Sequence, residues 1–584
     1  MATAPQDGGR DIRIPLAITP DNRDASTSKD ARIVNAYVET GTRQGEVRVY
    51  KRAGVAHNSQ PTGGSATGKG LYNWLGDIYS VFNGTLYKNG GSVHAVDSTN
   101  GVYRFNQTQA TKPQLVLSNG AYAYSWDNTT FTQIQQGGPV VNAGSFVVGV
   151  TYQIVTLGNT DWGVIGAKTP AVVGEFFTAS GVGSGTGTAQ TDVVTAGNFT
   201  VGVLYKILTV GTTTNWASIG AATPAIVGET FIATGAGAGD GTATVASFPA
   251  PNTFAKQLVW LDGGMYVLKF DAHIIGSDFL QILYWDATTA GNVIEAQIEP
   301  DGGVALAKQL VYVIALKQWT TEVFYDAGNT TGSPLGPVQG AKIAYGCAHQ
   351  DSVQSVDDTL LWLATNRSTS LQVAALDNLK LVIVSTKPIE RLLDGITIDP
   401  LTYGNVISFT YKEGGHTFYV LTIKSANLTL VYDLKERAWS QWTDPSGNYF
   451  PFVANTFNAS GQELWQHESD GWIYTPDPSN YTDQGKLIPV NIYTPNWDAG
   501  TDKRKNLGRL FFSGDKTPGS KLTVRCSDDD YQTWSNPREV DMSRTRPYLD
   551  KCGSFYRRAW HISHADATPM RLFALEPIIE LGTV

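Results

Sequence analysis

The chain has few of the residues that mark chemistry, secretion or a membrane. Of its 584 residues only three are cysteine, Cys347, Cys526 and Cys552. An odd and widely spaced set gives no disulfide framework and fits folding in a reducing cytoplasm. Methionine occurs four times, and charged residues make up only 16%. No apolar run approaches the roughly 18 residues of a membrane helix, so no membrane span is expected. Residues 1–13 are polar and lack an apolar core, so no signal peptide is expected. Helical periodicity is missing apart from a short candidate at 388–393. The formal net charge of −9 argues against a free nucleic-acid-binding surface, although Lys and Arg outnumber Asp and Glu from Thr501 onward.

Strand and turn vocabulary is abundant. Glycine numbers 61 and Phe, Trp and Tyr reach 11%, a mix that favours a turn-rich all-β protein. The length exceeds one core, so several domains or a repeat array are expected. The most informative stretch is 415–442. A run at 418–423, the turn Ser425-Ala426-Asn427 and a second run at 428–432 are followed by Lys435-Glu436-Arg437, Trp439 and Trp442. Both faces of each run are largely apolar, so the strands read as buried on both sides. A strand pair closed by a tryptophan-bearing turn is the grammar of a β-propeller blade. Weaker versions occur at 71–91 with Asn83-Gly84, 114–134 with Asn119-Gly120, 256–287, 308–327, 357–385 and 462–477. This predicts about six or seven blade-sized units.

A tandem duplication interrupts the pattern. Residues 144–189 align with 197–243, matching Tyr152 to Tyr205, Trp162 to Trp216, Pro170 to Pro224 and Phe177 to Phe231. Two copies are too few for a solenoid, so each reads as a small β-module inserted into a host fold. Glycines 181, 183, 185 and 187 suggest a mobile or closely packed ribbon. The expected architecture is an all-β, propeller-like body with inserted tandem modules and a C-terminal β domain. The expected segments are an extended arm at 1–55, body at 56–140, modules within 141–247, body at 248–486 and the β domain at 487–584.

Catalytic vocabulary does not assemble into a site. Residues 63–70 match G-x-x-x-x-G-K, but Gly70 stands where Ser or Thr must ligate magnesium, and strand-like sequence follows where a phosphate-binding helix is needed. Residues 527–535 resemble an Asp-box, a structural hairpin turn, with Tyr531 at the usual glycine position. His561 and His564 lack a companion metal motif and read as strand or loop surface. No G-x-S-x-G elbow is present, and no carboxylate pair stands out for glycoside chemistry. No catalytic residue, metal or cofactor is therefore expected. Arg557, Arg558 and Arg571 alternate with aromatic and apolar residues. Interior packing is the plain reading of these arginines and a subunit interface the functional one.

The N-terminal segment, with Asn35, Tyr37, Lys51, Arg52 and Gly54, is similar to the opening of the tail hub or nozzle proteins of short-tailed bacteriophages, also called packaged-DNA stabilisation or head-completion proteins. Ala53 stands where that family usually has proline. The 415–442 hairpin, the turn at 527–534 and the ending at 555–579 resemble the same family, and the duplicated module resembles repeats found in phage tail proteins. The resemblance implies a structural virion protein made in the bacterial cytoplasm. It implies a homo-oligomer, a hexameric ring, below the portal-adaptor ring proteins, with tail fibres or tailspikes as neighbours. Phage DNA would pass through without sequence-specific binding. The inserted repeats are expected to contact fibres or the host surface. The alternatives are a carbohydrate-binding or carbohydrate-cleaving propeller and a tail-fibre-type adhesin.

Overall fold

The structure, a computed structural model, describes residues 13–16, 31–41, 47–134, 140–172, 176–191, 193–199, 201, 203–245, 248–249, 251–285, 292–329, 332–368 and 370–582. It is all-β, as expected. Among the described residues the one α-helix is Lys387–Leu393, where the sequence places it. The chain forms two compact units, 103–346 and a second that combines 1–102 with 347–584.

The 103–346 unit contains three blade-like antiparallel meanders. Arg104–Gln107, Leu115–Ser118, Ala123–Trp126 and Phe131–Gln133 form the first. Phe254–Leu261, Gly264–Lys269, His273–Asp278 and Gln281–Trp285 form the second, and Gly303–Gln309, Tyr312–Lys317, Thr321–Asp326 and Leu335–Pro337 the third. Their middle strands are buried on both faces; Tyr312–Lys317, for example, is apolar and covered from Val313 to Leu316. Such strands need a sheet on either side, which is how propeller blades stack.

The duplicated modules each fold into a four-stranded sheet of the same order. Val140–Asn142 pairs with Thr188–Gln190, which pairs with Thr151–Thr156 and then Phe176–Thr178. Val193–Thr195, Thr242–Val245, Leu204–Thr209 and Thr230–Ile232 repeat that order. Phe146, Tyr152, Trp162 and Phe177 cluster in the first core and Phe199, Tyr205, Trp216 and Phe231 in the second. The glycine ribbon is the closely packed kind. A Cβ on Gly187 would lie 2.6 Å from the Trp162 ring and from the Leu157 carbonyl, and one on Gly241 would lie 2.5 Å from the Trp216 ring. Gly187→Ala is therefore expected to destabilise its module by about 1–3 kcal/mol. Limited proteolysis should then show faster cleavage within 140–190 while the 193–245 module stays protected; equal protection of both modules would refute the packing argument.

The other unit contributes four meanders. Three are Gly68–Trp74 to Gly91–Ala95, Gln354–Val356 to Lys380–Ile383, and Val406–Glu413 to Ala438–Gln441. The fourth is made of Phe452–Phe457, Glu463–His467 and Ile473–Asp477, completed by Gly54–Ser59 from the other end of the chain. A sandwich follows. One of its sheets continues from Ala438–Gln441 through Arg32–Val34, Val490–Tyr493, Ala559–His564, Lys521–Ser527 and Arg538–Asp541. The other holds Ala36–Thr40, Val47–Lys51, Arg571–Leu581, Lys505–Gly514 and Tyr548–Asp550. They share one core, with Ile33, Ile492, Val524 and Ile562 from the first and Val38, Val49, Leu510 and Leu572 from the second.

The N-terminal segment is thus more than an extended arm. Its described part after residue 30 is woven into three sheets, because Ile33, Ala36, Val38, Val49 and Val55 are apolar at strand spacing and each finds a core. Residues 1–12 and 17–30 of the expected arm lie outside the described residues.

Candidate functional site

The N-terminal motif residues converge on one buried knot. Asn35 ends Arg32–Val34 and begins Ala36–Thr40, and its φ of +56° turns the chain from one sandwich sheet to the other. Asparagine tolerates that conformation better than most residues. Its backbone N–H donates to the Gln441 carbonyl (2.8 Å). Its Nδ2 donates to Thr443 Oγ1 (2.8 Å) and the Pro489 carbonyl (2.9 Å). Its Oδ1 accepts from the Thr443 N–H (2.9 Å) and from Arg52 Nε (3.1 Å).

Arg52 is 1% exposed. Its Nη1 and Nη2 grip the two Asp483 oxygens at 3.1 and 2.5 Å and also donate to the carbonyls of Ala53 and Thr443. Its guanidinium lies over the Phe450 ring at 4.8 Å. Only a planar five-donor group fits this arrangement. Lys51 Nζ donates to the Asp566 carbonyl (2.7 Å), and burial with Arg52 beside it pulls its pKa down to about 8. Gly54 pairs with the last blade, where any side chain would collide with the Thr482 backbone. Tyr37 stacks on Tyr50 (5.5 Å) and meets the edges of His416 and Phe418. Burial, then Glu413, raises its hydroxyl above the usual range. His416 Nδ1 contacts Asp433 Oδ2 at 2.6 Å.

These contacts locate the expected interface residues. Asn35, Lys51, Arg52, Gly54 and Arg558 are buried within their own unit, with their bonds made there. That leaves Tyr37, Arg557 and Arg571 as the motif residues with surface to offer a neighbouring subunit. Arg558 holds Asp528 through Nε and Nη2 at 2.6 and 2.7 Å. Arg557 pairs with Asp530, and Arg571 pairs with Asp515 at 3.0 Å and lies over Tyr50 at 4.6 Å. The Asp-box-like turn is structural: Asp529 accepts from the Thr533 N–H (2.9 Å), and Tyr531 takes the glycine position at φ +65°.

Neither histidine is fully exposed: His564 is buried and His561 is half-buried. Both lie in Ala559–His564, a strand inside the sandwich sheet, with their pKa values lowered to about 4, mainly by burial. His561 stacks on Tyr493 at 4.2 Å, and His564 Nε2 contacts Ser520 Oγ at 3.1 Å. Residues 63–70 run from a turn into Gly68–Trp74, a strand with no helix N-terminus for phosphate.

The sequence reading missed two groups. His349, Gln350, Asp351 and Ser352 are 0% exposed beside Cys347. His349 Nδ1 accepts from the Asp351 N–H (3.1 Å), Nε2 donates to the Thr402 carbonyl (3.1 Å), and the Ser352 hydroxyl donates to the His349 carbonyl (2.7 Å). Burial pushes the Cys347 thiol up to about 12, so it is not a thiolate at neutral pH. The run of polar residues between two blade-like segments is the only signal that could have drawn attention to it. The second missed group is Lys317 with Asp301 (2.9 Å) and Glu322 (2.6 Å), all essentially unexposed in one meander. Among the described residues no group of three or more metal-ligating side chains is gathered. No helix there is long and apolar enough to cross a membrane.

A family model described as "Phage_stabilise: Bacteriophage P22 Gp10, beta-propeller" matches residues 203–467, less than half of the chain. The match supports a bacteriophage structural tail protein and virion component with a β-propeller body. It begins inside the second module and ends in the last blade, so Asn35, Arg52, Asp483 and most of the sandwich lie outside it. No curated protein matches the chain in sequence. Similar solved structures include the computationally designed Ika8 protein, at 11% identity and TM-score 0.30, covering 73% of this chain and 98% of that one. BamB from Moraxella catarrhalis follows at 8% identity and TM-score 0.30, covering 73% and 99%. The Neurospora crassa Pan2 WD40 domain stands at 10% and 0.29, covering 75% and 98%. At these TM-scores the likenesses carry no argument.

Proposed function

We propose that the protein forms the hub or nozzle ring of a short-tailed phage tail, closing the DNA channel after packaging and conducting DNA at ejection. The family match over 203–467 carries this reading. Six copies would associate head to tail, since a heterologous contact with the right rotation closes into a ring. One end of the ring would meet the portal-adaptor proteins. A net charge of −9 fits a channel that repels phosphate and lets DNA slide without base recognition. The knot supports a wall role: it ties the first described strands, the last blade and the sandwich together, so that load on the sandwich reaches the body through buried bonds. No catalytic step is assigned.

The modules at 141–247 would face fibres, tailspikes or the host surface. They are self-contained, each with its own aromatic core.

Native mass and class averages of the purified full-length chain test the reading. Six-fold rings are expected. Trimers would favour the adhesin, and monomers that turn over glycan the carbohydrate-active alternative. Deleting 141–247 should leave rings of unchanged diameter, and loss of assembly would rule out a peripheral role for the modules.

A further inference from the structure

Two meanders of the unit formed by 1–102 and 347–584 meet over a pair of carboxyl groups. Glu413 ends Val406–Glu413, the first strand of the 406–441 meander, and is the last residue before the turn Gly414-Gly415. Glu463 opens Glu463–His467, the middle strand of the 452–477 meander. The two meanders share one aromatic core, in which the Tyr411 and Phe409 rings meet Trp465 at 5.0 and 5.8 Å. Asn455 crosses the joint. Its Nδ2 donates to the Thr410 carbonyl and also to Glu463 Oε1, the latter at 2.9 Å.

Glu463 is 7% exposed and its carboxyl is satisfied on one side only. Oε1 also accepts from Trp465 Nε1 (2.8 Å), but Oε2 is buried with no hydrogen-bond partner among the described residues. A buried carboxylate with an orphan oxygen is costly, and binding a proton removes the charge that makes it so. Glu413, half-buried, accepts from the Tyr411 hydroxyl. Two touching rings therefore link the carboxyls, Tyr411 bonded to one and Trp465 to the other.

The surrounding charges do not compensate for both carboxylates. Arg52 and His416 face Glu413, but Arg52 grips Asp483 and His416 is bonded to Asp433. Lys412 Nζ pairs with Asp357, and the Lys412 N–H favours an ionised Glu463 without making a full bond to Oε2. Tyr37 and Tyr481 also face Glu413, and their raised hydroxyl pKa values keep them neutral near pH 7. Burial is the main force on each carboxyl and raises both to about 7. Arg52, then His416, opposes the rise at Glu413; Trp465 and Asn455 oppose it at Glu463, where the nearby Glu413 adds to it.

We infer that Glu413 and Glu463 form a pH-sensitive lock between the 406–441 and 452–477 meanders, closing the joint while they keep their protons and opening it locally when they ionise. Opening returns each carboxyl to water, where it ionises near 4.5. Between that value and about 7 the closed joint holds protons that the open one releases. The stabilisation is therefore complete below pH 4.5 and is lost as pH rises through 7. Above that, two like charges share an aromatic core, and water must enter to solvate them. The turn Gly414-Gly415, at φ +57° and +83°, is the flexible point beside Glu413 where the strand end can part.

Hydrogen exchange of the full-length protein between pH 6 and 8.5 tests this, with rates corrected for base catalysis at the amide itself. Peptides from 406–413 and 452–467 should lose protection by about tenfold or more across that range, as release of one proton requires. Peptides from the sandwich strands at 505–514 and 571–581 should keep theirs. Glu463→Gln retains an amide oxygen for Asn455 and Trp465 and cannot ionise, so protection at the joint should vary far less with pH. Glu413→Gln should also shrink the change. The infrared carbonyl band of a protonated carboxylic acid should be present in wild type at pH 6.5 and weaken in each variant. Wild-type protection that does not change with pH overturns the lock, as does absence of that band. An equal loss in wild type and both variants, or a loss shared by the whole unit, overturns it too.

Discussion

Arg52→Ala is expected to destabilise the unit formed by 1–102 and 347–584 by about 3–5 kcal/mol, the range for breaking a buried ion pair from one side. The substitution leaves Asp483, 6% exposed, without the two guanidinium bonds that compensate its burial. It also leaves Asn35 Oδ1 and the Thr443 carbonyl each one donor short. Arg52→Lys should recover little, since one ammonium cannot reach Asp483, Asn35, Ala53 and Thr443 together. Arg52→Met with Asp483→Leu should recover more than half of the loss, because the Phe450 and Trp442 rings already line the space. Urea unfolding followed by tryptophan fluorescence reads these differences, since Trp442 is fully buried beside the knot. The chain has two units, so the transition of this unit must be resolved from that of 103–346. An Arg52→Ala midpoint within experimental error of wild type would show that the knot is not a stabilising centre.

Local features were legible in the sequence, and distant pairings were not. The 415–442 hairpin is found as read, with strands His416–Ile423 and Leu428–Asp433 and Asn427 at φ +48° between them. Two runs buried on both faces and one residue suited to positive φ suffice for that. The duplicated modules were equally plain, since their cores close within about 50 residues. The closing strand of the last blade was not legible. Gly54–Ser59 pairs with Ile473–Asp477, and nothing in either segment names the other. The same holds for Arg52 and Asp483, 431 positions apart. For Arg558 the interface stayed open beside the plainer reading of interior packing, because its partner Asp528 sits in a turn where aspartate belongs for backbone reasons. His561 and His564, read as strand or loop surface, do lie on a strand, with His561 half-buried against Tyr493 and His564 buried against Ser520 and Thr568; Tyr493 and Ser520 are too far away in sequence to be read as their cover.

Acid should therefore weaken the sandwich through these two histidines. Burial first, then Arg525 and Arg32, holds His561 at about 4; burial, then Lys51, holds His564 at about 4 against the opposing pull of Asp566. An unfolded histidine takes up its proton near pH 6.5, so between pH 6.5 and 4 the unfolded chain binds more protons than the folded one and stability falls with pH. The loss is complete near pH 4 and amounts to about 3 kcal/mol for each histidine as an upper bound. Glu413 and Glu463 act with the opposite sign in the same unit. Burial raises both to about 7, so the folded state gains protons there before the unfolded state does and is favoured as pH falls from 7 toward 4.5. Wild-type data alone would mix the two effects, and the comparison that isolates the histidines is with His561→Phe combined with His564→Gln. Phenylalanine keeps the stack on Tyr493, and glutamine keeps a polar partner for Ser520. The double variant should be less stable than wild type at pH 7.5 and should lose less stability between pH 6.5 and 4.5, by several kcal/mol. Parallel stability curves for the two proteins would mean that the histidines bind their protons in the folded state at ordinary pH, and that the sandwich opens around them rather than excluding charge.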